Sequence, residues 1–270
     1  MMSRCGGGRC YRRFMWWCLV SMLIAATAQA GCREGTERGG PSGEETGAEK
    51  RRVIETDVPS GKVLWADSES SSRSSQVFTL LSFEGRAQPL TDDVREHMMG
   101  TSWHEGCPVD LDDLVLLTVA HWTMDGRRKV GEMVVAERVA EDVLEVFEEL
   151  YEQRFPIERM RRIAHYDGDD AASMSDNNSS AFNCRQVAGT KRWSEHSFGT
   201  AIDINPVQNP YVRGDRVEPE AGADYLDRSD VRPGMLVPGP AVDAFKGMGW
   251  GWGGDWSSLK DYQHFSESGR

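Results

Sequence analysis

The longest apolar runs lie in the middle of the chain and predict a β-hairpin. Residues 114–119 read Leu-Val-Leu-Leu-Thr-Val, a continuous apolar run that is typical of a strand buried on both faces. Met124-Asp125-Gly126 supplies turn residues, and residues 130–135 form a second strand-like run. We therefore expect two antiparallel strands joined by a connection longer than the minimal turn.

Residues 141–155 carry the clearest helical periodicity. Val143, Phe147, Leu150 and Tyr151 fall on one face, and Pro156 follows the predicted end. This stripe indicates a helix packed on the core. Residues 167–180, in contrast, are polar and lack the ligand spacing and terminal Glu of a calcium loop. They predict a solvated loop without regular structure.

The first 31 residues have the pattern of an export signal. Four arginines precede a short apolar run over residues 14–26, and Ala28-Gln29-Ala30 supplies small residues for cleavage. The run is too short for a comfortable membrane span. Gly31-Cys32 resembles a lipoprotein cleavage site, although Gln29 stands where that pattern has Leu. We expect an exported protein, whether periplasmic, extracellular or lipid-anchored at the cell envelope, with Cys32 as its single candidate for membrane attachment.

The remaining sequence divides into a tether and one domain. Residues 32–76 are rich in charge, Gly and Ser with few apolar positions, a composition that cannot bury enough surface to fold. Residues 77–270 have the ordinary composition of one globular domain, which we expect to be monomeric.

Charge and cysteine content narrow the function classes. The chain has a net charge of -12, which becomes -16 once the four leader arginines are removed. Such an acidic chain without a basic stripe is unsuited to nucleic acid, so no such partner is expected. Cys107 and Cys184 lie in the predicted domain, and in an oxidising compartment they predict a disulfide, with two separate thiols as the alternative.

The candidate chemistry begins with His196 and Asp203. Seven positions apart, they would be about 10 Å apart on a helix and about 23 Å apart on a strand, too far to share an ion. Gly199 lies between them and permits a turn. Ile202 and Ile204 flank Asp203 with the period of a strand, which would point the carboxylate back toward the imidazole.

A second group lies near the end of the sequence. Asp261 and His264 are three residues apart, so one helical turn would point them the same way. Two histidines, one aspartate and a water would complete a four-coordinate zinc site with an open position. Asp261 would then remain free to take a proton from that water.

These residues resemble a known family. The pattern Ser194-x-His196-x-x-Gly199-x-Ala201-x-Asp203, followed by Asp261-x-x-His264, is similar to that of the M15 zinc peptidases. This family includes D-alanyl-D-alanine carboxypeptidases, VanY-type and VanX-type enzymes and L-alanyl-D-glutamate endopeptidases. The similarity extends from about Val77 to Phe265.

The resemblance implies specific roles. His196, Asp203 and His264 would bind Zn²⁺, and Asp261 would be the general base. Arg185 matches an arginine that would hold the substrate carbonyl or carboxylate, with Arg192 as the competing candidate. The implied fold is α+β, a small antiparallel sheet with flanking helices that carries a single zinc site, as in the D-Ala-D-Ala carboxypeptidase/hedgehog-like fold.

The implied activity is hydrolysis of peptidoglycan stem peptides, as a DD-carboxypeptidase or an LD- or DD-endopeptidase. The alternative is a non-catalytic zinc module of the same fold that binds cell-wall peptides or another protein. Residues 211–240 are expected to border the cleft and set the choice of bond. For Trp250, Trp252 and Trp256, the sequence leaves a place in the cleft and packing in a loop equally open.

Overall fold

The computed structural model describes residues 82–270. The predicted signal at 1–31, the tether at 32–76 with Cys32, and the first residues of the predicted domain lie outside these described residues.

Helices and small sheets alternate along this part of the chain. The helices are α1 (Asp92–Met98), α2 (Ala140–Glu152), α3 (Asp170–Ser175) and α4 (Pro240–Gly247). The strands are β1 (Gly85–Pro89), β2 (Leu114–Trp122), β3 (Arg128–Ala136), β4 (Arg159–Met160), β5 (Asn178–Ser179), β6 (Ala201–Asp203), β7 (Tyr211–Arg213), β8 (Arg216–Glu218), β9 (Gly251–Trp252), β10 (Lys260–Asp261) and β11 (His264–Ser266).

The strands pair into separate sheets rather than the one small sheet that the sequence predicted. Three antiparallel sheets have the orders β1-β2-β3, β10-β7-β8 and β6-β11-β9, and β4 pairs with β5 in parallel. The α+β class is confirmed. The several sheets arise because most strands after β3 have only two or three residues.

The predicted hairpin and helix are confirmed, although both strands are longer than predicted and the helix ends earlier. β2 and β3 pair from Leu114 opposite Ala136 to Trp122 opposite Arg128. Of the predicted stripe of α2, Val143, Phe147 and Leu150 are buried in the main core, and Tyr151 is buried in a smaller cluster. However, α2 ends at Glu152 instead of residue 155, because Arg154 takes a left-handed conformation (φ 53°) that stops the helix before Pro156.

The prediction that residues 167–180 are a solvated loop is wrong in part, because the segment contains α3 and β5. The Asp169 carboxylate accepts a hydrogen bond from the Ala172 amide and caps α3, and Asn178 and Ser179 are buried in β5. The Asn178 side chain bonds both the amide and the carbonyl of Arg161. The polar residues 178–180 are therefore buried and hydrogen-bonded, whereas several residues before them are exposed.

A disulfide joins Cys107 to Cys184, which confirms that prediction. It connects the segment before β2 to the segment that leads toward the candidate site. Within residues 82–270, no helix is both long and apolar enough to cross a bilayer.

Candidate metal centre

Two of the predicted ligands meet because their strands pair. Asp203 ends β6 and His264 begins β11, and the two residues lie directly opposite each other in the antiparallel register. Opposed residues in such a pair project from the same face of the sheet. Ile202 and Phe265, which alternate with them, are fully buried in the core behind that face. Asp203 Oδ1 therefore comes to 3.0 Å from His264 Nδ1.

His196 reaches the same point from a short 3-10 helix, Glu195–Phe198. Gly199 ends that helix in the left-handed region (φ 67°), as the sequence predicted for a turn between His196 and Asp203. A Cβ at Gly199 would lie 2.6 Å from the Ala136 backbone nitrogen, so only glycine fits this approach. His196 Nε2 lies 3.2 Å from Asp203 Oδ2 and 3.2 Å from His264 Nδ1.

Hydrogen bonds to main-chain oxygens determine which nitrogen of each histidine ring faces the cluster without a proton. His196 Nδ1 donates to the Ala181 carbonyl (2.6 Å), and His264 Nε2 donates to the Arg270 carbonyl (3.1 Å). A carbonyl only accepts, so each neutral ring keeps its other nitrogen unprotonated. Two nitrogen lone pairs and a carboxylate then point at one another. Ligand histidines of metal sites are oriented in this way by outer hydrogen bonds.

This donor set fits a divalent ion. Among the described residues, His196, Asp203 and His264 are all buried and form a group that could hold a metal. Their facing atoms are 3.0–3.2 Å apart. A tetrahedral zinc ion with bonds of about 2.0 Å would separate its ligands by about 3.3 Å. The second such group consists of His104, Cys107 and Cys184. The two cysteine sulfurs are bonded to each other in the disulfide and are therefore not available as thiolate ligands.

The electrostatics of the cluster also favour positive charge at its centre. Burial alone would lower the pKa of His264, but the Asp203 carboxylate, with a contribution from Asp261, outweighs it and raises this pKa to about 9. Burial likewise would raise the pKa of Asp203, yet the two imidazoles keep it below its ordinary value. Without a metal, His264 therefore holds a proton, and this positive charge lies where the metal would bind.

Asp261 lies in strand β10, so the prediction of one helical turn for Asp261 and His264 is wrong. A two-residue turn at Tyr262 and Gln263 separates β10 from β11, because His264 pairs with Asp203 and Asp261 pairs with Tyr211 of a different sheet. Asp261 nevertheless lines the same cleft as the three-residue cluster.

The Asp261 carboxyl is held in an unusual environment. Its Oδ1 is buried and has no hydrogen-bond partner among the described residues. Burial, reinforced by the Asp203 charge and opposed by the two imidazoles, raises its pKa to about 6. A carboxyl with this pKa can exchange a proton near neutral pH.

The cluster opens into a cleft of about 500 Å³. Both competing arginines line it. Arg185 is fixed by an ion pair with Asp170 (2.6 Å), while Arg192 is exposed and has no ion pair within the described part of the chain. Asp170 lies at the start of α3, inside the segment that the sequence predicted to be a plain loop, and no sequence signal singled it out.

Of the three tryptophans left open by the sequence, only Trp256 lines the cleft. Trp250 and Trp252 are buried in the main core, where the Trp252 ring packs near Phe265. The expectation that residues 211–240 border the cleft holds for the β7–β8 hairpin alone, since no residue from 219 to 240 lines it. No pattern in the sequence indicated the register of that hairpin.

Comparison with known proteins identifies the class. Residues 188–267 match a family model described as D-alanyl-D-alanine carboxypeptidase, and these residues hold the whole metal cluster and Asp261. This match supports an M15-type peptidase domain, and it covers under a third of the chain. The match begins at residue 188 rather than near Val77. No curated protein and no solved structure matches the chain significantly.

Proposed function

We propose that this chain is a zinc peptidase that hydrolyses peptide bonds in bacterial peptidoglycan stem peptides, with His196, Asp203 and His264 as the zinc ligands. The main observation behind this proposal is that two imidazole nitrogens and a carboxylate converge within 3.0–3.2 Å. The family match supports the peptidase activity, and the donor set supports zinc.

Bound zinc would lower the pKa of a water molecule and polarise the substrate carbonyl. The residues of the chain carry the proton transfers. Asp261 Oδ1, which has no hydrogen-bond partner among residues 82–270, would accept a proton from the attacking water. Burial, which raises the pKa of the Asp261 carboxyl, favours its protonated form, and this form would then give the proton to the leaving amine.

An arginine would complete the site by holding the substrate. Arg185 is the stronger candidate of the two, because Asp170 orients its guanidinium at the cleft while its Nε is buried without a partner among the described residues. In this place it would donate to the substrate carbonyl or carboxylate as negative charge develops. Arg192 is exposed and has no ion pair with any residue that the structure describes, so it lacks that orientation.

The test separates metal binding from hydrolysis. Purified protein should contain one zinc per chain, and His264→Ala should lose it. Asp261→Asn should keep zinc but lose at least about a hundredfold in hydrolysis of purified muropeptides, measured by mass spectrometry. Asp243→Asn is the matched control, because Asp243 is exposed on α4 outside the cleft.

Three results would contradict the proposal. Zinc retained in His264→Ala would remove that residue as a ligand, and full hydrolysis by Asp261→Asn would remove the base. A zinc-loaded wild-type protein that binds muropeptides without cleaving any would instead favour the non-catalytic module.

We also propose export, with the protein acting as a monomer on the cell wall. The leader-like pattern at residues 1–31 and the Cys107–Cys184 disulfide support this placement, because disulfides persist in oxidising compartments. Cys32 remains the candidate for a lipid anchor.

A further inference from the structure

One wall of the cleft is the three-stranded sheet β10-β7-β8. Asp261 of β10 lies opposite Tyr211 of β7, which lies opposite Glu218 of β8. One pair further along the hairpin on this same face, Arg213 lies opposite Arg216. These five side chains all line the cleft, whereas the alternating residues Val212, Val217 and Lys260 do not.

Only one of these two arginines has an acidic partner among the described residues. Arg216 forms an ion pair with Glu218, but Arg213 has no carboxylate within 4.0 Å among residues 82–270. Like charges directly opposite each other in a sheet are destabilising. Both arginines are exposed at the cleft of a protein whose net charge is -12. A bound anion between the two guanidinium groups would relieve this repulsion.

The strand spacing sets where such an anion would lie. Arg213 is two residues along β7 from Tyr211, the residue opposite Asp261, which corresponds to about 7 Å. An extended peptide advances about 3.3 Å per residue. A group bound by the arginine pair would therefore lie about two residues from the peptide bond that Asp261 serves.

We propose that Arg213, supported by Arg216, binds a carboxylate of the substrate peptide about two residues from the cleaved bond, so that the enzyme selects anionic peptides over amidated ones. Arginine suits this role because its planar fork matches a carboxylate in a bidentate geometry. The inference rests on the proposed peptidase function and assigns its substrate class.

The experiment compares matched peptides on the zinc-loaded full-length protein. Synthetic stem-type peptides carry one free carboxylate two residues to either side of the cleaved bond, and each has a carboxamide twin. We expect kcat/KM to favour one carboxylate peptide over its twin by about tenfold, mainly through KM. Arg213→Gln should bring that ratio close to one, and Arg213→Lys should restore part of it.

Arg86→Gln is the matched control, since Arg86 is an exposed strand arginine of β1 outside the cleft. It should leave the ratio unchanged. Equal kcat/KM for both members of each pair, or an equal loss for both in Arg213→Gln, would overturn the proposal.

If no peptide is cleaved, the proposed peptidase function is wrong, but the carboxylate preference can still be tested by binding. Calorimetric titration should then give about a tenfold difference in Kd between the carboxylate peptide and its carboxamide twin. Arg213→Gln should abolish this difference. Equal Kd values for the wild type would contradict the inference. Circular dichroism verifies the fold of the variant. If Arg213→Gln does not fold, the wild-type preference must shrink between 0.05 and 0.5 M salt, and a salt-independent preference would contradict recognition by charge.

Discussion

At the scale of single residues, the pKa of His264 links protonation to stability. Without metal this pKa is about 9, above its ordinary value of 6.5, because the Asp203 carboxylate favours the protonated ring. The folded state therefore holds the proton more tightly than the unfolded state. This contribution is fully present below pH 6.5 and is lost as the pH rises through 9.

We expect chelator-treated protein to be less stable at pH 9 than at pH 6.5 by about 2–3 kcal/mol, measured by urea unfolding. His264→Gln should show a much flatter dependence over this window. A wild-type curve as flat as that of the variant would show that His264 does not hold the proton. Zinc-loaded protein serves as a further control, because a ligand ring is neutral at both pH values.

The ligand residues were predictable from the sequence, but several of their neighbours were not. His196, Asp203 and His264 stand in a motif with a glycine at the required turn, and the structure brings all three together. Asp170 and Arg213, in contrast, belong to no local pattern. Their places in the cleft depend on a short helix and on a strand register, which only tertiary packing determines.

At the scale of elements, Gly253 controls the approach of two short segments. It begins a 3-10 helix after β9, and a Cβ there would lie 2.9 Å from the Asp261 Cβ and still closer to the Asp261 carbonyl oxygen. Backbone at this distance cannot yield without moving β10. The glycine thus allows the candidate base to reach its position.

We expect Gly253→Ala to reduce kcat by at least about tenfold while zinc content stays near one per chain, because Asp261 is displaced and the ligands are not. Peptide hydrolysis and metal analysis on the same sample provide the measurement. Gly247→Ala is the control, since a Cβ at Gly247 meets no atom within 4 Å. Full activity in Gly253→Ala would show that this close approach is unimportant.

Long elements could be predicted from the sequence, and short ones could not. The nine-residue strands β2 and β3 and the thirteen-residue helix α2 each bury enough apolar residues to leave a periodic pattern. Strands β10 and β11 have two and three residues, too few for periodicity, so the spacing of Asp261 and His264 was equally compatible with a helical turn. Pairing with β7 and β6 selects the extended form.

At the scale of the whole molecule, the disulfide ties distant parts of the chain to the site. Cys107 and Cys184 are 77 residues apart in sequence and enclose the β2–β3 hairpin and α2. Cys184 is buried next to Arg185, whose backbone is held by Ser197 beside His196. The crosslink therefore restrains both the unfolded chain and the segment that leads into the cleft.

Closing a loop of this length is expected to stabilise the fold by up to about 4.5 kcal/mol through the entropy of the unfolded chain. We expect the double variant Cys107→Ser, Cys184→Ser to lose much of this free energy of unfolding in urea, yet to bind zinc stoichiometrically while folded, because neither cysteine is among the metal-binding group at His196. Treating the wild type with a reductant should reproduce the loss, and treating the double variant should change nothing further. Equal stability of the oxidised wild type and the double variant would mean that the crosslink adds nothing to a fold already determined by its core.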